Sequence, residues 1–418
     1  MEESLRGALQ QAIVDNDLAK VRQLARHPAI DLNLHNTDSA GDPLLLSAAL
    51  SQTPEILACL LDAGAEIDIQ NPLGLTALTL ACGATGELKH SAAMLLLSRG
   101  ADVNLVVSNG FTPLMYAAQQ GAPSVVRALL QRGAQVNVCS EEVSQLTPLL
   151  LAAAGGHEEV ALMLLTAGAD PQVQTDIGFT PFIYAGQQGL LSFTKALLQK
   201  TDPEDAARQL NLANHKGWTA LHMAAHKGHL DVAELFLMHG ADPNAQDAEG
   251  RAPLISAIVT RNLHGILQLL RYGADPNLRG PAPGPELPFV TPVTIALMSK
   301  SEDAVKLLIA YGGELRLAMG NEPERSIFQK DEREYLLSNQ ADRVELLSRR
   351  LPEHLGFAAE NLDKIIMPGV ERCQAMKQAG KWQPLSDVKS SLHSAYQELL
   401  SAMDATDEVL DFYLALVY

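Results

Sequence analysis

The feature that most constrains this chain is a period. The tripeptide Gly-Ala-acid, or a near variant, recurs at Gly64, Gly100, Gly133, Gly168, Gly240, Gly273 and Gly312, at separations of 36, 33, 35, 72, 33 and 39 residues. The gap of 72 is two periods with one degenerate unit between them. An apolar run of helical character precedes the glycines, as in CLLDAGA, LLQRGA and LFLMHGA, and a polar turn with Asn or Asp follows most of them. A second motif leads into each run: GLTALTLA at 74–81, GFTPLMYAA at 110–118, LTPLLLAAA at 146–154, GFTPFIYAG at 178–186, GWTALHMAA at 217–225 and GRAPLISAI at 250–258. Thr-Pro starts a helix well, because proline at the first helical position gives up an N–H that would have no partner there. Gly before Ala suits a left-handed helix end, where a Cβ would clash. The Ala-Ala pairs let two helices come close. Each unit then leaves one apolar face bare, which only stacked neighbours can cover. Aromatic residues are 5% of the chain, so the core is expected to consist of Leu, Ala, Val and Ile.

These residues resemble the ankyrin repeat, in which a Gly-x-Thr-Pro-Leu-His turn, two antiparallel helices and a Gly-Ala-Asp loop alternate. The stretch AHKGHLDVA at 225–233 matches it best. The resemblance covers roughly residues 4–317 in about nine units, of which the first (4–35), the one starting near Asp38 and the last (289–317) are degenerate. It implies an all-α ankyrin-repeat solenoid of helix-turn-helix units with short hairpin loops. Within 1–37, Leu5, Leu9, Ile13, Val21 and Leu24 fit two short helices without the turn motif, an expected N-terminal capping repeat; 38–317 is the array. Two stretches depart from the pattern. QKTDPEDAARQLN, between Leu198 and Leu212, reads as a lengthened loop. The insertion at 279–290 carries Pro281, Pro283, Pro285 and Pro288, which forbid helix and ladder alike. Each is either a surface insertion, since loops accept length cheaply, or an extension of a binding face. The proline-rich one is the better candidate for a stiff finger.

After Leu317 the pattern stops. Residues 318–418 hold 17 acidic and 11 basic side chains, a denser charge than the array's. They read as helices near 326–350, 353–366, 369–379, 386–402 and 405–417, a small C-terminal helical domain. Its last residues, FYLALVY, are too apolar to face water and are expected to pack on neighbouring helices.

The net charge of −18 argues against nucleic acid and against anionic membrane surfaces as partners. Cys59, Cys82, Cys139 and Cys373 form no CxxC pair and read as reduced thiols. The acidic start lacks a secretory pattern, and the apolar run TPLLLAAA is far below the ~20 residues of a membrane span. A cytoplasmic protein with no membrane contact is expected. Among His215, His222, His226, His229 and His239, three have helical spacing, but no Cys or carboxylate stands at ligand distance in sequence. The resemblance assigns His222 and His229 to framework positions that hydrogen-bond turn backbones. His157 opens HEEVA, not HExxH. Nucleophile elbow, phosphate loop and dinucleotide fingerprint are all missing from the sequence. Asp102, Asp170, Asp242 and Asp275 lie a whole period apart, or two, and cannot converge as an acid–base pair. The expectation is therefore no catalytic residue, no metal and no cofactor.

The resemblance implies binding through the hairpin tips and the inner helices, on the concave side of the stack. The residue before each helix-starting motif is Leu75, Phe111, Leu146, Phe179, Trp218 and Arg251, one per unit, with steps of ~10 Å between packed layers. Tyr116 and Tyr184 match on the inner helices, followed by Gln119, Gln120, Gln187 and Gln188; His226 completes the candidate set. Aromatic anchors with amide rims make interaction hot spots. The alternative is that the same rings only pack on the next finger. Arg251, Arg261, Arg271 and Arg279 form either a modest basic patch or a solvated face. The function expected is a non-enzymatic interaction module, a scaffold, adaptor or inhibitor, monomeric by itself, that binds another protein. The alternative is a two-part adaptor or a bacterial effector or immunity-type protein, whose 318–418 region recruits a second partner or carries an activity.

Overall fold

A computed structural model describes residues 2–34, 42–50, 54–84, 86–140, 144–280, 290–299 and 301–313. The prolines of the 279–290 insertion and the whole proposed C-terminal helical domain lie outside the described residues. Nineteen helices are present among those described, and isolated bridges join Ser140 with Leu146 and Gly280 with Val290. The chain divides into two compact units, up to Asp242 and from Pro243 onward.

In the first unit the helices come in pairs: α1 (Glu2–Val14) with α2 (Leu18–Ala25), α3 (Leu44–Ala49) with α4 (Pro54–Asp62), α5 (Ala77–Gly83) with α6 (Glu87–Ser98), α7 (Pro113–Gln120) with α8 (Pro123–Gln131), α9 (Pro148–Ala154) with α10 (Glu158–Thr166), and α11 (Pro181–Gln188) with α12 (Leu191–Lys200). A single helix α13 (Pro203–Leu210) follows, then the pair α14 (Ala220–Lys227) and α15 (Leu230–Met238). First helices pack on first helices, from α1 through α3, α5, α7, α9 and α11 to α14, and second helices on second helices, from α2 to α15. This is the two-row stack that the period requires, since each pair covers its neighbour's apolar face.

Local chemistry sets each start and stop. Thr76, Thr112, Thr147, Thr180 and Thr219 cap α5, α7, α9, α11 and α14, each side chain accepting from the backbone N–H three residues on. Caps of this type stabilise a helix by ~1 kcal/mol. Ala117, Ala118, Ala152, Ala153 and Ala224 are fully buried, so the first-row helices sit close together. At Gly133, φ is +81° with no atom near a would-be Cβ, so conformation alone, and not space, selects glycine there. Leu9, Ile13 and Val21 are buried in α1 and α2, and Phe182 meets Phe236 edge-on with ring centroids 6.2 Å apart.

The stretch expected as a lengthened loop between Leu198 and Leu212 is corrected by α13. Pro203 occupies its first turn after an extended Asp202, and Ala206, Gln209 and Leu210 turn inward. The spacing from Ala206 to Leu210 is one helical turn, which gives the segment a buried stripe against α11.

On the other edge of the stack, asparagines join successive units. Asn137 Oδ1 accepts from Asp170 N at 2.9 Å while its Nδ2 donates to Gly168 O at 3.1 Å. Asn104 bridges to Gln135 N and Gly133 O, and Asn211 to Asp242 N and Gly240 O, in the same manner. Asp68 holds the corresponding place one unit earlier and accepts from Asp102 N. Asn211 directly follows α13, so the extra helix returns the chain to the position where this link resumes.

The second unit contains α16 (Pro253–Val259) with α17 (Leu263–Arg271) and α18 (Pro292–Met298) with α19 (Glu302–Ala310). Its own asparagine links run from Asn244 to Asp275 N and Gly273 O, and from Asn277 to Gly312 O. Nine helix pairs and one single helix thus account for all the described helices.

Candidate protein-binding face

The fingers that lead into α5, α11 and α14 are each closed by a short polar side chain. Asn214 N donates to Trp218 O at 3.0 Å, and Asn214 Oδ1 accepts from Lys216 N and Trp218 N. Asn71 closes the finger of Leu75 in the same way, and Thr175 that of Phe179. Neighbouring fingers are held together by Ser108 N to Leu73 O and His215 N to Ile177 O, both 3.0 Å. The residue before each capping threonine is thereby fixed where it meets its own first-row helix.

The rings expected to form a ladder have their aromatic partners within their own units. Phe111 is 5% exposed and lies 5.3 Å from Tyr116, planes inclined at 59°. Phe179 is half-buried and stacks on Tyr184 at 5.0 Å and 29°. Trp218, half-buried, meets exposed His226 edge-on at 5.3 Å, with His222 stacked behind it at 6.5 Å. Leu75 and Leu146 are half-buried. Tyr116 and Tyr184 are also half-buried, and burial raises the Tyr184 hydroxyl above its ordinary pKa. Asn109 Nδ2 donates to the Tyr116 hydroxyl at 3.4 Å. Gln119 and Gln188 are exposed, Gln120 and Gln187 half-buried. Gln188 Nε2 donates to Ala154 O at 2.7 Å, so this amide also joins α11 to α9.

Arg251 stands in the second unit, committed to its own finger. Its guanidinium pairs with Asp247 at 2.9 Å and Glu249 at 2.8 Å, and Asp247 Oδ1 accepts from Arg251 N. Burial alone would raise the Asp247 carboxyl; the backbone and guanidinium bonds from Arg251 outweigh it and hold the group below the usual carboxylate range. Arg261, of the possible basic patch, donates to Ser299 O.

His222 closes a capping box with Thr219, Nδ1 accepting from Thr219 N at 3.2 Å, the framework role that the resemblance implies. His229 lies over Gly189, where a Cβ would come within 2.6 Å of Nδ1. His157 plays a part that sequence reading missed. Its ring lies between Gly155 of its own turn and Gly121 at the left-handed end of α7, and its Nε2 is 3.0 Å from Gln119 O. The sequence trace of this interlock is glycine at both ends of the preceding contact, a helix-ending Gly one unit before a Gly-Gly-His. Among the described residues no group of three or more His, Cys, Asp or Glu could hold a metal ion, and no helix is long and apolar enough to cross a membrane.

Charge is distributed unevenly. The first-row helices α5, α7, α9 and α11 contain no Asp, Glu, Lys or Arg, in a chain of net charge −18. Such a face can bury apolar and amide groups of a partner without stripping water from charges.

Comparison with known proteins agrees with this architecture. A family model described as ankyrin repeats (3 copies) matches residues 44–140 and 182–280, and one described as ankyrin repeats (many copies) matches 121–165. Human ankyrin repeat and MYND domain-containing protein 1 is 36% identical over 194 residues, 44% of this chain and 20% of that protein. The Arabidopsis thaliana E3 ubiquitin-protein ligase KEG is 27% identical over 332 residues, 68% of this chain and 20% of that one. NF-kappa-B inhibitor alpha of Sus scrofa is 39% identical over 103 residues, 25% of this chain and 33% of that protein. The chain thus spans between a fifth and a third of the length of these relatives. With nine helix pairs, threonine-capped first helices and left-handed Gly-Ala loops in register, the chain belongs to the ankyrin-repeat family, whose repeat is a protein-interaction module.

Proposed function

We propose that the first unit is a docking platform for another protein, which lies across the hairpin fingers and the first-row helices. The observation that carries this reading is the row of ring pairs Phe111–Tyr116, Phe179–Tyr184 and Trp218–His226, in which every ring but buried Phe111 is partly open to solvent, bordered by the amides of Gln119 and Gln187. Half-buried aromatics already fixed by their neighbours lose little rotamer freedom on binding. The relatives favour a role carried by the repeats. One is named a ligase and one an inhibitor, each matched over a fifth to a third of its length by a chain whose own family matches are ankyrin repeats. We read this chain accordingly as a scaffold, adaptor or inhibitor, with the repeats as its recognition element.

The test is positional crosslinking. A photoreactive phenylalanine analogue at Tyr184, and separately at exposed Lys195 on α12, is activated in native extract, and adducts are identified by mass spectrometry. A discrete adduct from position 184 and none from 195 is expected. The same adduct from 195 alone would move the docking face to the second row and end the proposal.

A further inference from the structure

Two of the units carry the same twelve-residue pattern, Gly-Phe-Thr-Pro-x-x-Tyr-Ala-x-Gln-Gln-Gly, at 110–121 and at 178–189. The unit between them does not. At the places of Tyr, Gln and Gln it has Leu151, Ala154 and Gly155, yet α9 has the same threonine cap and packs on α7 and α11 in the same row. The fold therefore does not call for tyrosine and paired amides at these positions. Gln188 has a structural partner in Ala154 O, but the side chains of Gln119 and Gln187 make no hydrogen bond among the described residues.

Building on the docking face proposed above, we infer that α7, α9 and α11 bind an extended, uncharged peptide segment of the partner, with a bulky apolar side chain at each tyrosine and its backbone amides against the glutamines. The chemistry on both sides matches. Helices α7, α9 and α11 carry no charged side chain to pair with a charged ligand, and a primary amide both donates to and accepts from a peptide group. On α9, Leu151, Ala154 and Gly155 take the places of the tyrosine and the paired amides, so no ring or amide of this kind stands between the two tyrosine steps. Tyr116 and Tyr184 are two helix steps apart, ~16–20 Å at the usual helix spacing of ~8–10 Å. An extended strand rising ~3.3 Å per residue covers that span in about five or six residues.

The experiment uses the full chain, fluorescently labelled, and bead-bound peptides with blocked ends. Two leucines are set three to nine residues apart in a Ser/Asn/Gly background, in an uncharged set and in sets carrying Glu or Lys between the leucines. Binding is expected to peak at separations of five or six in the uncharged set. It should change by less than about twofold between low and high salt, since no ion pair is made. Tyr116→Ala or Tyr184→Ala should each weaken it about tenfold, the size of a hot-spot truncation. Gln119→Ala, at an exposed position that cannot unfold the chain, should weaken it measurably too. Preference for a charged set, or binding with no optimum in separation, would overturn the inference while leaving the docking face intact if the tyrosine variants still lose affinity. Binding unaffected by either tyrosine, or no binding in any set, would overturn the inference, and the former would also remove the face from the proposed function.

Discussion

The interlock between Gly121 and His157 makes a quantitative test of how successive units grip each other. Gly121 ends α7 at φ +65°, and a Cβ there would clash with Nδ1 in the imidazole of His157. Gly121→Ala therefore carries two costs. The left-handed conformation costs an L-residue ~1–2 kcal/mol. Displacing the ring also removes the bond between His157 Nε2 and Gln119 O, worth ~0.5–1.5 kcal/mol net. The expected total is about 1.5–3.5 kcal/mol. Gly133→Ala is the control, because φ there is +81° and no atom lies near the new methyl; only the first cost of ~1–2 kcal/mol applies. His157→Ala alone should cost ~1 kcal/mol, and the double variant Gly121→Ala/His157→Ala should cost no more than Gly121→Ala, since the ring contact is already lost in it. Urea unfolding of the full chain by far-UV circular dichroism measures all four, with an unchanged slope as the condition for comparing midpoints. Additive single costs in the double variant, or Gly121→Ala no worse than Gly133→Ala, would refute the interlock.

Three further outcomes follow from the same geometry. Asn137→Ala removes both of its bonds to the next unit and should lower stability by ~1–2 kcal/mol, while Asn137→Asp, which keeps the acceptor and loses the donor as Asp68 does naturally, should lose about half of that; urea midpoints decide. The Asp247 carboxyl is depressed in the native state, so its contribution is complete above the unfolded carboxylate value of ~4 and is lost as pH falls through the lower native one; wild-type protein should lose stability between pH 5 and 2 more steeply than Asp247→Asn, and parallel curves would refute the assignment. Burial drives the Cys82 thiol far above its ordinary pKa while Cys139 is exposed, so Ellman's reagent should titrate Cys139 in native protein and reach Cys82 only on unfolding; equal native rates would contradict the packing of α5.

What was legible in the sequence is what each unit must solve for itself. Thr-Pro starts, paired alanines and Gly-Ala ends act within a few residues, so they repeat visibly and mark helix boundaries along the array. The helix α13 was missed because the absence of a Gly-Ala loop suggested a longer loop. Yet Asp202-Pro203 is a helix start, and Ala206 with Leu210 a buried stripe. The asparagines after each loop were visible as polar turns, but their partners lie 29 to 35 residues away along the chain, as Gly133 does from Asn104 and Gly312 from Asn277. No local pattern shows a contact of that kind. The candidate rings were found by register, whereas their degree of burial depends on finger and helix together, and it separates Phe111 from the others.

That separation decides which substitutions can report on binding. In a stack where each unit touches only its neighbours, stability is a sum of local and nearest-neighbour contributions, so a residue outside both can change without unfolding the array. Phe111 belongs to the core: truncating a buried phenylalanine costs ~3–5 kcal/mol, and any loss of affinity in Phe111→Ala would be confounded with loss of the fold. Arg251 is equally unsuitable, because its guanidinium pairs with the Asp247 carboxylate, whose side chain is 2% exposed, and removing it takes that pairing from a buried charge. Tyr184 and Gln119 are of the other kind. The first has a ring partly open to solvent, the second an exposed amide, and the neighbouring α9 folds with leucine and alanine in their places. Substitutions that α9 already tolerates are those whose effect on a partner can be read directly as recognition.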